Sequence, residues 1–151
     1  MRYLKLFVLL LLLGVAATGS CQNLQRAGAT DVGVLYVDTD TAQSLSKNGQ
    51  LYLAVFAEEQ FTDAEFLQSL REDESLREAA GAMYLYLFDS KGTEYTVAAH
   101  YIIDKAGSVC LDMGGESVAQ PTAGKQEMLA VYTKAVDALQ SKLQKNRWLK
   151  K

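Results

Sequence analysis

Few side chains in this sequence could carry chemistry. Histidine occurs once, at His100, inside a tract that reads as a strand, and Ser44, Ser46, Ser69, Ser90 and Ser108 are scattered along the chain. Acyl transfer by a hydroxyl needs nucleophile, base and orienting group brought together, and no Gly-x-Ser-x-Gly turn presents a serine. No catalytic residue is nominated, and His100 reads as structural or exposed. Asp38 and Asp40 are spaced like the start of a calcium loop, but the glycine and the later glutamate of that pattern are missing. The cluster Glu72-Asp73-Glu74 reads as a solvated face, so neither a metal nor a cofactor is expected. Cys110 is the one candidate redox residue: an exposed thiol of lowered pKa would be reactive, whereas a buried one is a small apolar side chain. Tyr36, Tyr52, Tyr84, Tyr86, Tyr95 and Tyr101 all fall on expected strands. Tyr84, Tyr86, Tyr95 and Tyr101 form a candidate binding surface if they share an uncovered face, because each ring offers apolar area with a polar tip. The alternative is tyrosine at the rim of a core.

The elements that must position these residues follow from periodicity. From Ala82 to Gly114 three apolar runs are separated by Asp89-Ser90-Lys91-Gly92 and Asp104-Lys105-Ala106-Gly107. In both turns the Asp can bond its own backbone and the Gly can take positive φ, so the tract predicts a three-stranded antiparallel meander. Met83, Leu85 and Leu87 alternate with Tyr84, Tyr86 and Phe88, which makes the first of these strands apolar on both faces and central. Upstream, 32–37 and 51–57 read as strands, and 38–49 as a short helix over 41–47 or a loop closed by Asn48-Gly49. Thr62-Asp63-Ala64-Glu65 has the form of a capping box, with Phe61 and Phe66 at the spacing of a hydrophobic staple. It predicts a helix from Thr62 with Phe66, Leu67, Leu70, Leu76, Ala79 and Ala80 on its buried side, stopping at Gly81 or broken at Glu72-Asp73-Glu74. After Pro121-Thr122, Leu129, Tyr132, Val136, Leu139 and Leu143 recur at steps of three and four, the stripe of a long helix laid on the sheet. The fold class is α+β: a single small sheet, mixed or antiparallel, of about five strands, ending in the meander and covered by two main helices.

The N-terminus has a basic start (Arg2, Lys5), an apolar run from Leu6 to Leu13 and then small residues up to Cys21. A run this short falls well below the roughly 20 residues of a spanning helix and has the layout of an export signal. Here the chain resembles bacterial lipoproteins, in which a cysteine after small residues becomes the lipid-modified first residue. Gly19, Ser20 and Cys21 match that lipobox, while Thr18 stands where the family has Leu. The resemblance implies lipidation of Cys21 and a periplasm-facing, membrane-anchored protein of the bacterial envelope; the alternative is ordinary signal cleavage and a secreted chain. The expected organisation is a signal peptide over 1–20, a tether over 21–30 and one α+β domain over 31–151.

The sequence is 49% hydrophobic and 22% charged. Without Arg2 and Lys5, 13 of the 15 basic residues remain against 18 acidic ones, a formal charge of −5. That balance argues against a nucleic-acid partner, whose phosphates call for clustered Lys and Arg. The last ten residues nevertheless hold Lys142, Lys145, Arg147, Lys150 and Lys151 with no acid. This end reads either as a helix terminus whose cations suit the dipole or as a contact for anionic head groups or an acidic partner. In the second case Lys145, Arg147, Lys150 and Lys151 make the contact and Trp148 is an interfacial anchor.

LYLAVFA (51–57), a helix and MYLYLFD (83–89), followed by HYIIDKAGSVCLDMGG (100–115) and a closing helix, resemble the thioredoxin-like fold. The chain departs from that family at the helix start, where Glu58-Glu59-Gln60-Phe61-Thr62-Asp63 stands in place of CxxC, so the dithiol chemistry would be lost. The tract GTEYTVAAHYIID with a further strand and a long helix also resembles envelope lipoproteins of lipopolysaccharide assembly and of transporters, which act by binding. The functional expectation is therefore an exported, lipid-anchored accessory protein that binds an envelope partner or ligand without catalysis. The alternative is a thioredoxin-like oxidoreductase relative using Cys110 alone.

Overall fold

The computed structural model describes residues 23–148. The export signal, Cys21, Lys150 and Lys151 lie outside them. In chain order the elements are β1 (Leu24–Ala29), β2 (Gly33–Asp38), a 3-10 turn (Thr39–Thr41), β3 (Gln43–Lys47), β4 (Gln50–Phe61), α1 (Ala64–Arg71), a second 3-10 turn (Glu74–Leu76), β5 (Ala79–Asp89), β6 (Glu94–Asp104), β7 (Val109–Asp112), β8 (Gln120–Pro121) and α2 (Gln126–Trp148). The class is α+β. One antiparallel sheet of eight strands runs β1-β2-β4-β5-β6-β7, with β3 paired to β4 beside β2 and β8 paired to β6 beside β7. No helix among the described residues is long and apolar enough to cross a membrane.

The meander expected from the two Asp…Gly turns is β5-β6-β7. At the first turn Asp89 accepts from the backbone N–H of Thr93 and of Glu94, and Gly92 has φ +69°. Asp104 does the same work at the second, where Gly107 has φ +81°. Elsewhere the sheet is larger than the sequence suggests. Residues 24–29, expected as tether, are a strand paired with β2 through a turn in which Thr30 N–H donates to Gly33 O at 2.9 Å. Residues 43–47, expected as helix or loop, are a strand, because Asn48 and Gly49 both take positive φ (52° and 76°) and fold β3 back on β4. Left-handed conformations at two successive positions give the tight turn whose twist suits a hairpin.

Strand β4 runs four residues past Ala57 to Phe61, and so Glu58-Glu59-Gln60 lie within the sheet. Thr62 stays outside the helix, its N–H donating to Val32 O at 3.0 Å, and the helix is capped one residue later by Asp63, which accepts from Phe66 N–H at 2.7 Å. The Phe61–Phe66 staple forms, with ring centroids 5.0 Å apart, edge to face. α1 ends at Arg71, and Asp73 accepts from Ser75 N–H and hydroxyl to start the second 3-10 turn. Ala79, Ala80 and Gly81, expected at the helix end, are the first residues of β5.

Both helices lie on one face of the sheet. Leu35, Val37, Leu53, Val55, Tyr86, Phe88 and Tyr95 pack there against Met128, Val131 and Ala135 of α2. Of the expected α2 stripe Tyr132, Val136 and Leu139 pack on this core, whereas Leu129 and Leu143 are 43% and 57% exposed, and the centre of the buried side is Met128, Val131 and Ala135. Further along the same face Phe61, Ala82 and Ile102 pack against Leu76, with Phe66, Leu67 and Leu70 of α1 beside them. The opposite face carries a second buried cluster that includes Phe56, Leu85, Leu87, Ala99 and Ile103.

Candidate functional site

On the helix-bearing face β4 presents Leu53, Val55, Ala57, Glu59 and Phe61 in alternation, one carboxylate in an apolar row. Glu59 is only 6% exposed. Glycines on both neighbouring strands draw the backbone tightly around it: a Cβ at Gly81 would collide with the carbonyl oxygen of Glu59, and one at Gly33 with that of Gln60. The carboxylate is held by two hydroxyls. Thr30, in the β1–β2 turn, donates to Oε1 while accepting from Gly33 N–H at 3.0 Å, and Tyr84 on β5 donates to Oε2 at 2.7 Å. The one ion pair among the described residues joins Arg77 to Glu74, so Glu59 has no cationic partner there.

Tyr84 is paired across strands with His100 of β6, the rings stacked at 4.6 Å and 26°. Burial is the main cause that pushes the Tyr84 phenol well above its ordinary value, and the bond to Glu59 adds to it, so the hydroxyl stays a donor. Burial likewise lowers the His100 pKa, against a smaller opposing pull from Glu59 and Glu116, so the ring is neutral at pH 7. His100 Nε2 is buried and has no hydrogen-bond partner among the described residues. A buried nitrogen left in that condition is uncommon in native proteins and calls for an explanation.

These three side chains floor a cleft of about 280 Å³ walled by Phe61, Phe66, Leu70, Leu76 and Ile102, with Val32 at one side and Leu111 and Met113 at its rim. The rim is apolar and open to solvent: Leu111 is 37% and Met113 54% exposed. An aromatic ladder continues from His100 and Tyr84 through Tyr86 to Tyr95 and Phe88, and ends on Tyr132 of α2. Chemically the cleft offers an apolar wall, a buried carboxylate and one imidazole nitrogen.

The residues singled out from the sequence are distributed as follows. Tyr84, Tyr86 and Tyr95 share the helix-bearing face, and Tyr101 is on the other. Tyr86 and Tyr95 are buried among core side chains, and only Tyr84 lines the cleft. Lys125 Nζ donates to Tyr95 OH at 2.7 Å and lies over its ring. Cys110 is half-buried on β7, and burial, helped by Asp104 and Glu78, raises its pKa. Lys145 and Arg147 are exposed on the last turns of α2, which Trp148 ends. Lys142 does structural work, donating to Asp40 O at 2.6 Å and to Ala42 O at 3.2 Å. Asp38, buried, accepts from Asp40 N–H within the 3-10 turn.

Thr30 and Glu59, which hold the floor together, were invisible to pattern reading because one sat in an expected tether and the other beyond an expected strand end. Two-residue alternation carried past Ala57 to Phe61 is the signal that would have found Glu59. Comparison with protein-family models, with curated proteins and with solved structures found no match.

Proposed function

We propose that this chain is an exported, lipid-anchored envelope protein whose domain binds a small amphipathic ligand in the cleft between α1 and β7, without catalysis. The observation that carries the reading is the open apolar cleft with Glu59, Tyr84 and the unpartnered Nε2 of His100 on its floor. Its volume is near the lower bound of about 300 Å³ for small-molecule sites, which typically combine apolar walls with a few placed polar groups. Nothing on its lining is a serine, cysteine or lysine. The oxidoreductase alternative draws less support, because exchange proceeds through the thiolate and the Cys110 pKa is raised.

The anchor and the cleft belong to opposite ends of the β1–β2 hairpin. Asn23 O accepts from Thr39 N–H at 3.2 Å, and Lys142 donates to the same 3-10 turn, so the N-terminal end of β1 and the basic end of α2 emerge together. The Thr30–Gly33 turn that borders the cleft lies about 20 Å away along six strand residues. With Cys21 lipidated, Gln22 and Asn23 alone separate it from β1, a reach of about 10 Å at most. Lys145 and Arg147 would then face the head groups, a second membrane signal beside the acyl chains, and the cleft would open away from the bilayer.

The test is calorimetric titration of the domain with n-hexanol. Wild type is expected to bind one molecule, and Leu70→Trp, which fills the cleft from α1, to abolish binding with the fold retained by circular dichroism. Absence of binding to wild type would overturn the reading.

A further inference from the structure

We infer that the cleft selects a cationic head: its ligand is an apolar amine, taken up as the ammonium with its hydrocarbon against Phe66, Leu70 and Ile102. The inference rests on the binding reading above and adds the charge of the ligand.

The floor is acceptor-rich. Glu59 is buried with no cation within ion-pair distance among the described residues, and its two hydroxyl partners, Thr30 and Tyr84, are neutral. Each carboxylate oxygen has acceptor capacity beyond the one hydroxyl bond it accepts. A buried carboxylate satisfied only by neutral donors retains its field, which at a buried position is stronger than at the surface. Phe66 adds an aromatic ring to the cleft wall, and ring faces attract cations. His100, neutral and with Nε2 unpaired, can present that nitrogen as an acceptor, and an ammonium brings three donors with no acceptor. One ammonium would thus answer both the uncompensated charge and the unpartnered nitrogen. A fatty carboxylate would set like charge against Glu59, and an alcohol would satisfy one acceptor without the charge.

Calorimetric titration with n-hexylamine, n-hexanol and hexanoate at pH 7 separates the possibilities. Hexylamine is expected to bind wild type at least tenfold more tightly than hexanol, and hexanoate more weakly than either. In Glu59→Gln the preference for the amine over hexanol should shrink to within about threefold, with the fold of the variant checked independently by circular dichroism. Tyr84→Phe, which keeps the carboxylate and frees Oε2, should retain the preference. Hexanol or hexanoate binding as tightly as the amine, or an amine preference that survives Glu59→Gln, would overturn the inference and leave the binding reading standing. Failure of all three to bind wild type would remove the binding reading and the inference together.

Discussion

The two ends of the helix-bearing sheet face use the same strands and reach opposite results. Under α2, a helix of 23 residues, Leu53, Val55, Tyr86, Phe88 and Tyr95 are sealed against Met128, Val131 and Ala135. Under α1, of eight residues and with no buried side chain of its own, the face is left partly uncovered, and there the sequence places a carboxylate, a phenol and an imidazole. Helix length decides the difference, because two turns cannot span strands of 11 and 12 residues. A long helix makes a core and a short one leaves a cleft.

That contrast can be broken at several points. Phe88→Ala at the sealed end, where the side chain is wholly buried, should cost about 3–5 kcal/mol, against about 1–2 kcal/mol for Phe66→Ala at the half-covered end; urea denaturation of the two variants reads the difference directly. Gly81→Ala is expected to destabilise by about 1–3 kcal/mol, the range for overpacking, because the added methyl meets the Glu59 carbonyl, and it should also weaken hexanol binding in calorimetry. Asp63→Ala removes the cap that seats α1 and should cost about 1 kcal/mol in a thermal melt, with more effect on the cleft than on α2. The smallest effect is in pH dependence. Burial lowers the His100 pKa from its ordinary value of 6.5, so the unfolded chain takes up a proton first as pH falls. This stability is fully present above 6.5 and is lost as pH drops below it toward the folded value. His100→Phe should flatten that part of the profile between pH 7 and pH 5, seen as a smaller change in urea midpoint than wild type shows.

How much of this could be read from sequence varied with where the information resides. The meander was legible because both of its turns are spelled locally, by Asp89 and Gly92 and by Asp104 and Gly107. The staple was legible for the same reason, though Thr62, hydrogen-bonded to Val32, yielded the cap to Asp63. Strand β3 was not, since Gln43-Ser44-Leu45-Ser46-Lys47 is polar and becomes a strand only through its pairing with β4. The α2 stripe was legible at Tyr132, Val136 and Leu139, which pack on the core, but its centre lies at Met128, Val131 and Ala135, so Leu129 and Leu143 fall at its exposed margin. The floor of the cleft was hidden for a tertiary reason. A glutamate inside a strand is tolerable only where hydroxyls reach it, and Thr30 and Tyr84 lie 29 and 25 residues away in sequence.

The measurement that bears most directly on the account is a methyl-resolved NMR titration of the domain with n-hexanol. The methyl groups of Leu70, Ile102, Leu111 and Met113 are expected to shift in a saturable manner while those of Leu53, Val131 and Ala135 stay still. Shifts confined to the sealed end, or none at any methyl, would contradict a binding cleft between α1 and β7.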